Sequence, residues 1–340
     1  MNLANYRTSI ILAVTFTLLL STFWFYQDFA FIVFLSLLLQ LLLKPAVDFM
    51  EARRMPRAVA SAIAIIAFIL VLAALASIIS RSVLPSFQRF VAELPTIGQS
   101  LQQLPVLSDT DFVQNEFVNI LDRLRSVGAD LLRASLSFIL VAFGKVIDFV
   151  IIIFVSFYLL KDGLAIKLWL ADLFPDTARR RVLRLFDTLL IALRVYICSQ
   201  LVMCFITGLV VFAYFKLMGL PYASVFALLS GISEFIPVLG PTVASALGVI
   251  MTASAARELT VQTALFYVAL TQVNHNVVYP ALVGKSLHLH PVAVILGVVF
   301  GGELLGAAGM FLAVPFIVII KIVITDIYRD RRKMQSAEEE

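Results

Sequence analysis

Apolar runs close to the length of a bilayer-crossing helix recur along this chain. They cover residues 9–26, 29–43, 58–80, 136–160 and about 189–215. Beyond them the chain stays apolar to about Thr325, interrupted by polar clusters at 257–258 and 285–290. A hydrocarbon core of about 30 Å needs about 20 mostly apolar residues as a helix. The 340 residues are 61% hydrophobic and only 14% charged, where a soluble domain carries roughly 25% charged residues. Too few charges remain to cover a water-facing surface, which excludes a soluble enzyme, a disordered chain and a disulfide scaffold. A net charge of +4 is too small to argue for nucleic acid as a partner. Cys198 and Cys204 both sit in an apolar run and set no disulfide framework. The expected fold class is all-α: a polytopic membrane protein of about six to eight membrane helices.

The first run lacks a small-residue cleavage site, being followed by Trp24, Phe25, Tyr26 and Gln27. It reads as the first arm of a retained membrane hairpin and not as a removed leader. Basic residues orient the array. Segments 44–57, 161–185 and 326–340 hold four, six and four Lys/Arg, whereas the loop 81–135 holds five against six acids. Short basic loops stay cytoplasmic, so both termini are expected inside and the 81–135 loop outside. Five regions follow: membrane helices over 1–80, an extracytoplasmic amphipathic helical region over 81–135, a fourth span with a cytoplasmic basic helix over 136–185, a transport region over 186–325, and a charged tail over 326–340.

In the outer loop, Leu84, Phe87, Phe90, Val91 and Leu94 recur at helical spacing, as do Phe112, Phe117, Ile120, Leu121 and Leu124. Such amphipathic faces pack on the bundle, meet a neighbouring subunit or lie on the membrane; a membrane-surface helix normally carries a Lys/Arg-rich face. In the inner segment, the Arg179, Arg180, Arg181 and Arg184 cluster follows an apolar stretch. It suits an anionic leaflet and equally serves as a plain orientation signal.

The last 120 or so residues contain two interruptions. Residues 221–256 are too many for one straight span, and their middle reads Glu234-Phe235-Ile236-Pro237-Val238-Leu239-Gly240-Pro241. Pro237 and Pro241 each lack a donor and clash with the preceding turn, so the expected halves are 222–236 and 241–256. Residues 291–325 repeat the layout around Gly301, Gly302, Glu303, Gly306 and Gly309, with Pro315 beyond. Non-helical backbone at membrane depth is tolerated only where it is buried in protein or lines a polar cavity. Two such interruptions in one half of a chain point to a transporter's site; the plainer reading is a pair of kinked structural helices. Each break carries an acid, Glu234 and Glu303, which is costly at the centre of a span. Because each half is short, both segments are expected to fold back as hairpins.

Between them lie Gln272, Asn274, His275 and Asn276, ahead of Pro280. They are expected to line a permeation path or to bind neighbouring helices. No His or Cys stands at ligand spacing, so no metal and no cofactor are expected. Lys145 and Asp148, three apart, suit a local ion pair. Arg194, near Gln200, either snorkels to the interface or neutralises Glu234 or Glu303.

Several motifs together resemble the autoinducer-2 exporter (AI-2E) family of bacterial membrane proteins: Gly219-Leu220-Pro221-Tyr222, the 234–241 stretch, Pro280 with Gly284-Lys285-Ser286-Leu287, His290-Pro291, and the run from Gly301 to Pro315 with Gly306 and Gly309. The resemblance covers nearly the whole chain. It implies a multi-spanning inner-membrane transporter and a homo-oligomer, with a pentamer among the expected states. It also implies export of autoinducer-2 or sodium/proton antiport. Many relatives carry an acid six residues before the proline matching Pro280, where this chain has Asn274; a proton-coupling role therefore falls to Glu234 or Glu303. The leading expectation is a carrier of a small polar solute in the lipid bilayer. The alternatives are an antiporter moving a monovalent cation or proton, and a non-transporting membrane scaffold. A catalytic constellation is missing: there is no His-Glu-x-x-His run and no Gly-x-Ser-x-Gly elbow, and Ser233 beside Glu234 is a poor dyad.

Overall fold

A computed structural model of the chain describes residues 27–90, 92–93, 146–283 and 289–338, with isolated positions 14, 17 and 18. Every regular element among them is helical, as an all-α membrane protein requires. The elements are α1 (Gln27–Ala52), α2 (Arg57–Ile78), α3 (Val146–Asp172), α4 (Asp176–Leu217), α5 (Ala223–Ser233), α6 (Leu239–Ala255), α7 (Thr260–Val273), α8 (Tyr279–Val283) and α9 (Pro291–Glu338). Among the described residues, five helices are long and apolar enough to cross a membrane: Phe31–Ala52, Arg57–Phe90, Val146–Asp172, Ala178–Leu217 and Gly309–Tyr328. All but three positions of the first apolar run, and the loop positions Val91 and Leu94 to Leu124, lie outside the described residues, as does Lys145.

The third span outruns its expected end at Ser80. It continues through a π-helical turn, Ile79–Val83, as far as Phe90. Pro85 has no N–H to give the carbonyl four residues back. Just ahead of it, Leu84 donates five residues back, to Ile79. The same device recurs at Asn274–Val278, where Tyr279 donates to Asn274 immediately before Pro280. A widened turn lets each helix run on past a proline that would otherwise kink it.

The helices gather into two compact units, one drawing on residues up to Ile69, Ile147–Ser199 and Val283 onward, the other on Leu70–Val146 and Gln200–Leu282. In the first, Val47 of α1 packs with Ala60, Ala64 and Ile65 of α2 and Leu160 of α3. Arg57 fastens this corner, donating from Nε to the Leu160 carbonyl at 2.8 Å and pairing with Glu51 at 2.8 Å. Phe34 stacks on Phe316 at 5.3 Å. Two arginines of the basic 161–185 segment are engaged: Arg179 pairs with Asp172 and Arg181 with Asp326.

The second interruption also lies in this unit. At Gly306 the backbone takes φ 58°, ψ −140°, a conformation that only glycine adopts readily. The two arms then run back along each other. A Cβ at Gly301 would overlap the Gly309 carbonyl, one at Gly297 would meet Ile317 and Ala313, and one at Gly302 would meet Met310. Contacts between 297–302 on one side of Gly306 and 309–317 on the other define a fold-back.

The second unit centres on Phe90, Val211, Phe215, Phe226, Leu247, Met251 and Tyr267. Phe90 packs edge-on against Tyr222 and Phe226 at 5.5 Å each. The start of the 81–135 segment is thus part of a protein core. The end of α4 is closed by Gly219 at φ 67°, with Leu220 donating to Phe215 and Gly219 to Lys216. These two bonds define a Schellman cap, which explains the Gly-Leu-Pro-Tyr sequence.

The Gly301–Gly309 contact yields a test. Gly301→Val is expected to destabilise the protein by about 1–3 kcal/mol through overpacking, seen as a lower thermal midpoint of the purified protein. Gly163→Ala, where a Cβ meets nothing within 4 Å, should leave the midpoint level or raise it slightly.

Candidate functional site

Glu234 stands at the first break, and its surroundings follow from how the chain turns there. Helix α5 has 11 residues and α6 has 17, so they extend about 16 Å and 25 Å, both short of a hydrocarbon core of about 30 Å. They fold back on each other. Gly240 lies so close to the Ser233 carbonyl that no Cβ would fit, and Leu247 and Met251 share the core of Ala223 and Phe226.

The break is narrower than the two prolines suggest. It covers residues 234–238, and Pro241 falls in the first turn of α6, where a missing N–H costs nothing because that donor has no helical partner. At the tip, Leu239 donates to the Pro237 carbonyl at 2.8 Å across Val238, whose φ is 67° and ψ −57°. That is the γ-turn with positive φ, a strained shape for any residue and more so for a β-branched one. Strain of this kind costs about 1–3 kcal/mol and persists only where the surroundings enforce it.

The groups that hold the start of the break come from α4 and from the turn after α7. Gln200 and Thr207 are seven residues apart, two turns along one face. Gln200 donates from Nε2 to the Glu234 backbone carbonyl at 2.6 Å. Thr207 donates from Oγ1 to the Glu234 carboxylate at 2.9 Å. From the π-helical turn between α7 and α8, Asn274 donates from Nδ2 to the same carboxylate oxygen at 3.0 Å and to Thr207 Oγ1 at 2.8 Å. Glu234 is 7% exposed and Asn274 2%. No salt bridge reaches Glu234 among the described residues, so its hydrogen bonds all come from neutral groups. Asn274 Oδ1, wholly buried, accepts no hydrogen bond.

The other polar residues of that turn point elsewhere. Gln272, His275 and Asn276 are exposed, with Asn276 Nδ2 on Gln272 Oε1 at 2.8 Å and His275 Nδ1 on the Thr271 carbonyl at 2.9 Å. Pro280 is exposed and Pro237 half-buried. On α9, Gly302 is half-buried, Glu303 and Gly306 are exposed, and Gly309 is buried. Arg194 is half-buried and Asp148 likewise. Thr207 escaped the reading of the sequence. A threonine two turns after a glutamine on an otherwise apolar helix was the available signal. Among the described residues, no group of three or more His, Cys, Asp or Glu could hold a metal ion.

A fold of membrane-length helices interrupted by two fold-back hairpins, one with a buried acid at its tip, defines a membrane transport protein. The chain belongs to the AI-2E transporter family, whose profile matches residues 12–329. It is similar to YrrI and YueF of Bacillus subtilis, at 34% identity over 52% of this chain and 30% over 65%. The matched part spans about half the length of these two relatives, 50% and 57%. It is also similar to the AI-2 transport protein TqsA of Escherichia coli, at 26% identity over 85% of this chain and 84% of TqsA.

Gln200 is the most direct handle on the tip. Gln200→Leu leaves the Glu234 carbonyl buried without its donor, at a cost of about 1–3 kcal/mol. The expected result is a lower thermal midpoint together with faster amide exchange confined to residues 234–239.

Proposed function

We propose that the protein is an exporting carrier for a small, polar, hydroxyl-rich solute of the autoinducer-2 kind. It sits in the bacterial inner membrane with both termini in the cytoplasm and works as a homo-oligomer. The observation that carries this reading is Glu234, buried at the tip of a fold-back hairpin and held only by neutral hydrogen-bond donors. Unwound backbone and short helix ends inside a membrane protein are where transporters hold their cargo. The exposed amides and imidazole of Gln272, Asn276 and His275, one turn of chain from Asn274, supply both donors and acceptors to replace a polyol's hydration shell. Helices α5 and α6 carry the site's rigid part, with the aromatic core of Phe215, Phe226 and Tyr267 behind it. The relative named for AI-2 transport supports the solute class.

Purified protein in proteoliposomes should take up a labelled small polyol, autoinducer-2 included, with saturation. Gln272→Ala and Asn276→Ala, each removing one neutral hydrogen bond worth about 0.5–1.5 kcal/mol, should raise the apparent KM about 2- to 12-fold with little change in maximal rate. Absence of uptake for every polyol tried, with proton-coupled sodium flux that disappears in Glu234→Gln, would replace this reading with an antiporter.

The hairpin reading also predicts sidedness. Helix α4 leaves the basic inner segment, and α5–α6 return the chain to the side that α4 reached. A membrane-impermeant maleimide should therefore label Arg257→Cys from outside intact cells. Labelling from the cytoplasmic side alone would mean that 222–256 crosses the membrane.

A further inference from the structure

The sequence leaves the arginine cluster of α4 between two readings, and the structure divides the cluster itself. Arg179 and Arg181 are engaged within the protein, on Asp172 at 2.6 Å and Asp326 at 2.7 Å. Lys167 takes Asp187 at 2.7 Å. Asp176 sits in the first turn of α4, where the helix dipole favours an acid, and forms no ion pair among the described residues. Arg180 and Arg184 are left over. They stand four residues apart on one face of α4 and both are exposed; among the described residues no acid pairs with either. Along the same face Ile191, seven residues past Arg184, is 53% exposed. The two arginines thus continue an outward apolar stripe, Arg184 about 10 Å along the axis from Ile191. Both helices have length to spare: α3 has 27 residues and α4 has 42, about 40 Å and 63 Å against a core of about 30 Å. The Asp172–Arg179 and Lys167–Asp187 pairs join them like rungs, so Trp169, between the rungs, lies level with Arg184. Trp169 is 62% exposed. A tryptophan laid open at that level is at home in the membrane interface, ring towards acyl chains and N–H towards headgroups.

We propose that Arg180 and Arg184 bind the headgroup phosphate of an anionic phospholipid, in the leaflet on the side of the basic 161–185 segment, with Trp169 at the same depth. A guanidinium presents a planar fork that matches two phosphate oxygens, and two such forks on one helix face converge on a single headgroup. An anionic lipid suits the pair better than a zwitterionic one, whose own ammonium group is brought up against the guanidinium charges. A cluster that only orients the chain acts while the helices insert, and gives the finished protein no preference among lipids. The two readings therefore separate by measurement. This surface goes beyond the solute reading and does not depend on it.

The chain's tryptophans are Trp24 and Trp169, so Trp24→Phe leaves Trp169 as the sole reporter. The test places this full-length variant in phosphatidylcholine vesicles with a fixed minor fraction of phospholipid spin-labelled near the top of its acyl chains. The labelled lipid is phosphatidylglycerol in one series and phosphatidylcholine in the other. Quenching of Trp169 fluorescence should be stronger with phosphatidylglycerol, with a local affinity higher by about 5-fold for each arginine engaged. Added salt should shrink the difference. Arg180→Gln combined with Arg184→Gln should bring the two series together. Arg180→Lys combined with Arg184→Lys keeps both charges and should retain most of the preference, which keeps the result readable if the glutamine pair folds poorly. Equal quenching by the two lipids before any arginine is changed overturns the proposal. So does a preference that survives the paired glutamines. So does a Trp169 that neither lipid quenches, which would mean that protein, such as a second copy of this chain, covers the face. None of these outcomes bears on which solute is carried.

Discussion

Where a chain stops being helical inside an apolar bundle, its freed donors and acceptors have to be met by protein, because lipid offers none. The hydrogen bond from Gln200 to the Glu234 carbonyl is the clearest instance here. It holds the end of α5 against α4, and with Gly240 pressed on Ser233 it leaves the tip a single path. The carboxylate of Glu234 is then delivered to a fixed place, within reach of Thr207 and Asn274. One buried amide–carbonyl bond thus links a backbone irregularity to a chemical site.

Asn274 reaches that place through a second irregularity. In a regular helix the residues after Val273 would follow the 3.6-residue rhythm, and Pro280 would remove one hydrogen bond from it. The widened turn at Asn274–Val278 absorbs the proline and resets the rotation of the chain. One amide is directed into the core, while Gln272, His275 and Asn276 stay on the surface. The four polar residues look equivalent in sequence, yet they divide into one buried partner of an acid and three exposed hydrogen-bonding groups.

Much of this was legible beforehand. Apolar length and charge asymmetry predict a helical membrane protein, and the prolines and glycines predict two interruptions and their fold-back. What escaped depended on three-dimensional rotation. Pro241 looks like a breaker but sits in the first turn of a helix, because only its place relative to the last interrupted residue decides whether its missing N–H matters. Ser80 looks like the end of a span, yet α2 runs on through a π-helical turn that no composition signals. Thr207 is an ordinary residue in an apolar run. Its importance comes from facing a glutamate 27 residues away, a pairing that periodicity within one helix cannot reveal.

Val238 carries a consequence of its own. A valine held at positive φ stores energy that the unfolded chain does not have, and it can release that energy without disturbing the helices on either side. Local opening at the tip is therefore offset in part by the strain it relieves. A small excursion there would relieve the strain while the helices on either side stay folded.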